Sequence, residues 1–196
     1  MENILLVDFG GTNMRYAFSE SGSSKINNIV KSSFKGINEF EDQLEDLISS
    51  NDIKILIISI AGPKINNEVT MTNRDYVFNS ENFKEKCNLN ECHLLNDWEA
   101  IAHSYDFVAD SIKTIKDGNK FNNNTLFVGP GTGLGVCNLK KIDNNVIPIP
   151  GEGGNAYFSP SNNEQIEILN HLLKYQKYVS VCLLYTSDAA DDLWCV

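Results

Sequence analysis

In "VDFGGTNMRYAF", Val7 to Phe18, a short polar break separates two apolar runs. An apolar run ends in a carboxylate, Asp8. Gly10, Gly11, Thr12 and Asn13 then make a turn, and a second apolar run starts at once. Glycine tolerates positive φ, so two glycines between strands can mean only a tight hairpin. An acid at the end of a buried strand is costly unless it is paired, however. Bare backbone N–H groups beside an acid and two small hydrogen-bonding side chains also suit phosphate oxygens, with the acid holding hydrated Mg2+. The turn lacks the lysine of a Walker A loop. A strand follows where a dinucleotide fingerprint needs a helix.

The pattern recurs. "GPGTGLG", Gly129 to Gly135, again lies between apolar strands, with Gly131, Thr132 and Gly133 at its apex. Two such turns suit a nucleotide gripped from two lobes; two unrelated hairpins are the alternative. Between them, residues 28–34 read as a strand. Ile37, Phe40, Leu44, Leu47 and Ile48 have helical spacing over residues 37–50. Residues 53–60, "IKILIISI", read as a strand covered on both faces. A strand is expected at 68–73, a short helix at 81–86, a strand at 93–95 and a helix from Asp97. The polar stretch 109–123 reads as a connection, "VIPIPGEGGN" as a strand entering a glycine loop, and residues 163–176 as an amphipathic helix. The mixture is an α/β fold of two related lobes.

Composition narrows the function classes. The 196 residues are 42% hydrophobic and carry a net charge of -10, which disfavours a nucleic-acid partner. No membrane-length apolar run is present, so no membrane partner is expected. The five cysteines form no CxxC pair, which argues against a disulfide framework or zinc site and for a reducing cytoplasm.

Two further acids stand out. In "LLNDWEAIA", residues 94–102, Asn96 and Asp97 fall where a strand meets a helix. Asn and Asp are preferred helix caps; an ionised Asp facing a cleft could equally take the proton of a hydroxyl attacking phosphorus. In "PGEGGN", residues 150–155, Glu152 is either part of a surface turn or a bidentate acceptor for vicinal sugar hydroxyls. After Lys177 there is no Lys or Arg, and "CLLYTSDAADD", residues 182–192, looks like a sequencing adapter translated in frame. On that reading residues 182–196 are non-native and the natural chain is longer; a native acidic tail is the alternative.

In this order "DFGGTN", "AGP…MTN", "LLNDWEAIA", "VGPGTGLGV" and "PGEGGN" resemble the bacterial ATP-dependent glucokinase family of the actin-like, hexokinase-type ATPase superfamily. The resemblance implies a ribonuclease H-like two-lobed fold with an incomplete second lobe: residues 1–108 the small lobe, 109–181 the start of the large one. It implies phosphorylation of glucose by ATP in the cytoplasm, with a homodimer expected. Asp8 would lie near Mg2+ and the phosphates, with Gly10, Gly11, Thr12, Asn13, Gly131, Thr132 and Gly133 as phosphate loops. Asn96 and Asp97 would bind the sugar, Asp97 as general base, and Glu152 and Asn155 would be further sugar ligands. The family usually has His where Asn155 stands, and a sugar-binding Glu where this chain has Cys182. Without the rest of its second lobe the chain as given is expected to be inactive; a kinase for another hexose or N-acetylhexosamine, or a sugar sensor on the same fold, are the alternatives.

Overall fold

The computed structural model describes residues 2–10, 13–71, 75–119, 122–130, 134–143 and 145–185. The chain divides into two compact units, Met1–Ala100 and Ile101–Val196.

The first unit is built on a five-stranded sheet. Strands β1 (Asn3–Phe9) and β2 (Asn13–Glu20) form the expected hairpin, and β3 (Asn27–Ser33) extends it antiparallel. Helix α1 (Ile37–Ser50) then crosses to β4 (Ile53–Ile60), which runs parallel to β1. Strand β8 (Glu91–Asn96) lies parallel on β4's far side, giving the order β3-β2-β1-β4-β8. The sequence dictates the layering. In β1 the alternate residues Leu5, Val7 and Phe9 are buried, whereas β4 buries residues of both parities. Helix α1 has no side-chain cap, but it buries Phe40, Leu44 and Ile48. Each such side chain stabilises by about 1.5–3 kcal/mol and a cap by about 1 kcal/mol, so packing holds this helix. Phe40 stacks on Phe9 at 4.0 Å between ring centroids.

Between β4 and β8 the chain makes a small antiparallel sheet, β5 (Lys64–Ile65), β6 (Glu68–Thr70) and β7 (Val77–Asn79), followed by α2 (Ser80–Lys86). Strands of two and three residues are too short to show a period, which is why β5 and β7 escape the sequence reading. Helix α3 (Asp97–His103) starts directly where β8 ends.

In the second unit α4 (Tyr105–Val108) and a 3-10 turn (Ala109–Ser111) lead into irregular chain over the described part of the polar connection. Strands β9 (Asn124–Pro130), β10 (Leu134–Ile142) and β11 (Asn145–Gly151) form an antiparallel sheet in the order β11-β10-β9. Cys137 and Leu139 are buried on one face. Cross-strand register puts Leu126, Val128, Ile147 and Ile149 on the other, all of them exposed. Helix α5 (Asn163–Leu172) is capped by Asn162, which accepts the Gln165 N–H. It ends four residues before the expected Gln176, in turns closed by the Lys174 and Tyr175 N–H groups. Helix α6 (Val181–Tyr185) buries Cys182.

Candidate active site

Register along the parallel strands brings the first acids to one edge. Phe9 pairs with Ile60, and Ile60 with Asn96, so β1, β4 and β8 end in a row. The carboxyl ends of parallel strands are where open α/β sheets take their ligands. Asp8 lies one residue inside this edge on β1, Gly62 just beyond it after β4, and Asn96 and Asp97 at the end of β8.

The Asp8 turn is closed by the Gly10 N–H, which donates to the Asn13 carbonyl at 3.0 Å. Gly11 and Thr12 lie outside the described residues. Asp8 faces Arg15 across the hairpin, and the guanidinium donates to the carboxylate at 3.1 Å. Both side chains are about half exposed, 48% for Asp8 and 64% for Arg15. The costly bare acid that the sequence suggests therefore has a partner, seven residues on, in cross-strand register.

Asn96 is buried and its amide is almost wholly committed. Its Oδ1 accepts the N–H groups of Trp98 (2.9 Å) and Glu99 (3.3 Å), and its Nδ2 donates to the Gly62 carbonyl at 2.8 Å. Glu99 completes a capping box, its Oε2 accepting the Asn96 N–H at 3.0 Å. Gly62 has φ +148, and a Cβ there would sit 2.1 Å from the Thr70 carbonyl oxygen. Only glycine can bring its carbonyl to Asn96 along this path.

Asp97 is half-buried, and burial pushes its carboxyl above the ordinary value. The backbone N–H of Trp98 acts against that rise, the charge of Asp8 adds to it, and the Asp97 N–H and the Asn96 side chain again oppose it. Two acids distant in sequence thus feel each other. An acid held partly desolvated yet still hydrogen-bonded is suited to taking a proton near neutrality.

In the second unit Glu152 precedes a 3-10 turn (Gly153–Asn155), and the Asn155 N–H donates to the Glu152 carbonyl at 3.0 Å. A Cβ on Gly153 would lie 2.3 Å from Val136 Cγ2, and one on Gly154 3.2 Å from the Leu134 backbone nitrogen. The glycines let the loop press onto β10. Gly131, Thr132 and Gly133 lie outside the described residues, between the Pro130–Leu134 pair that brackets the turn.

Among the described residues no three His, Cys, Asp or Glu side chains converge on a metal position. Mg2+ commonly takes one or two carboxylates and leaves the rest of its shell to water and substrate phosphates, so a single half-exposed Asp8 fits that cation.

The glucokinase family pattern matches residues 5–184. The chain belongs to the glucokinase family. Curated glucokinases from Colwellia psychrerythraea and Campylobacter jejuni subsp. doylei are 31% and 33% identical to it, over 97% and 90% of this chain but 59% and 54% of their own length. Among solved structures, a glucokinase from an Antarctic psychrotroph superposes with a TM-score of 0.74 at 22% identity, over 96% of this chain and 62% of that one. A Balamuthia mandrillaris glucokinase in complex with glucose gives 0.70 at 18% identity, over 93% and 59%. These two likenesses bear out the expected actin-like, hexokinase-type fold. This glucokinase-family chain thus spans somewhat more than half the length of those relatives.

Three residues that touch the candidate site residues or their partners escape the sequence reading: Arg15, Glu99 and Lys64, whose ammonium donates to both Glu99 carboxylate oxygens. Arg15 shows only once the hairpin register is known. Glu99 carries a signal, since an acid three residues after an Asn at a strand–helix junction is a capping box. Lys64 carries none.

Proposed function

We propose that this chain supplies the sugar-activating half of a glucokinase, and that the whole protein transfers the γ-phosphoryl group of ATP to the 6-hydroxyl of glucose. The carrying observation is Asp97: a carboxylate raised by burial, held by the Trp98 N–H at 2.9 Å and within electrostatic reach of Asp8. Asp97 is the general base. Asn96 has little amide capacity left for a ligand and serves mainly to orient its neighbour. Glu152 and Asn155 are assigned to sugar hydroxyls, and the turns at residues 10–13 and 131–133 to the phosphates. Asp8 would hold Mg2+ through water; when bound, that ion offsets phosphate charge in the loose transition state. Arg15 pairs with the same carboxylate across the hairpin.

We assign residues 1–108 to the small lobe and 109–181 to the start of the large one, with residues 182–196 non-native. A cytoplasmic homodimer is the expected state of the whole protein; among the described residues no helix is long and apolar enough to cross a membrane. The test is an ATP-dependent phosphorylation assay on the whole protein across glucose, mannose and N-acetylated hexoses. Preference for glucose supports the reading. Preference for an N-acetylhexosamine, or sugar binding without turnover, contradicts it.

A further inference from the structure

The capping box at Asn96 is itself held from outside. Lys64, on β5, donates to both carboxylate oxygens of Glu99, at 3.2 and 3.1 Å, with side chains only 26% and 13% exposed. Glu99 Oε2 accepts the Asn96 N–H at the same time. We propose that Lys64 is a positioning residue: by clamping Glu99 it fixes the peptide that presents Asn96 and Asp97.

The magnitudes favour such a clamp. An exposed ion pair contributes about 0–1 kcal/mol and would hold little in place. Breaking a largely buried pair costs more, because it leaves a desolvated charge without a partner. Without Lys64 the Glu99 carboxylate would turn toward water, releasing the Asn96 N–H. Lys64 is also only two residues beyond Gly62, whose carbonyl receives the Asn96 amide. One loop therefore grips the start of α3 twice, once through Asn96 Nδ2 and once through Glu99. A loop move that loosened one contact would strain the other, tying the geometry of Asp97 to the loop after β4. That a sugar reads this geometry rests on the proposed function; the clamp itself does not.

The experiment uses the 196-residue chain with Trp194→Phe, leaving Trp98 as its one tryptophan. Glucose is titrated against Trp98 emission, and amide hydrogen exchange is followed at Asn96, Trp98 and Glu99. Lys64→Met should speed Asn96 exchange and weaken glucose binding, each about tenfold, and Lys64→Arg should restore both. The double variant Lys64→Glu, Glu99→Lys should recover thermal stability through the reversed pair. It should not recover Asn96 protection, because a lysine cannot accept that N–H. Unchanged Asn96 exchange in Lys64→Met, or full recovery by the reversed pair, overturns the proposal. A parent chain that gives no glucose response counts against the proposed function, while the exchange data still decide the clamp.

Discussion

The molecule contains the same local device twice, and the two copies differ in what surrounds them. In the first unit β1 and β2 flank a glycine turn preceded by an acid, and β1 has neighbours on both sides. Helix α1, which follows the meander, buries three side chains. In the second unit β9 and β10 flank the second turn, which follows Gly129 and Pro130. Among the described residues β9 has one neighbour, and α5 buries none of its own fully. A strand–glycine–strand turn is therefore only a frame. In the first unit further parallel strands bring Asn96 and Asp97 to the edge where Asp8 lies, whereas the described sheet of the second unit is antiparallel throughout.

The sharpest way to break this contrast is at the acid. Asp97→Asn in the whole protein should lower turnover by about 10²–10⁴-fold, in line with loss of a general base. The same change should stabilise the first unit at neutral pH. A carboxyl raised in the folded state contributes stability that is full below its unfolded pKa and lost as pH rises through the folded value. The gain over wild type should therefore vanish in acid, which melting curves across pH will show. A near-normal rate would remove the base assignment.

The two glycine contacts come next. Gly62→Ala drives a Cβ into backbone oxygen at a φ that L residues rarely adopt, and should cost about 3 kcal/mol or more. Hydrogen exchange gives the unit-level comparison: amides of β1 and β4 should exchange at least about 100-fold more slowly than those of β9 and β11. Gly153→Ala meets a Val136 methyl instead, which can shift, so about 1–2 kcal/mol is expected, with relief from Val136→Ala. Arg15→Ala removes a half-exposed pair and should change a urea melt by less than about 1 kcal/mol.

Much of the first unit was legible because its signals are local. Helix α1 and strand β4 carry unbroken periodicities, and their expected bounds of 37–50 and 53–60 match the structure. Helix α5 ends short of its expected bound because the apolar spacing continues through Leu173 while no burial is there to hold another turn. The site was legible as residue types and not as relations. Asp8, Asn96 and Asp97 could be named singly, yet their convergence depends on the order β1-β4-β8, and no short motif encodes which strand lies beside which. Lys64 lay beyond reach for the same reason: its partner is 35 residues away, and the pairing exists only once the chain is folded.

Asp8 and Asp97 lie at one carboxyl edge of the first sheet, so the charge of Asp8 reaches the Asp97 carboxyl. Carbon-detected NMR titration of the Asp97 carboxyl, in the parent chain and in Asp8→Asn, tests it most directly. The expected midpoint lies above the ordinary carboxylate value in the parent and moves down once the Asp8 charge is gone. A midpoint at or below that value, indifferent to Asp8→Asn, would contradict the claim.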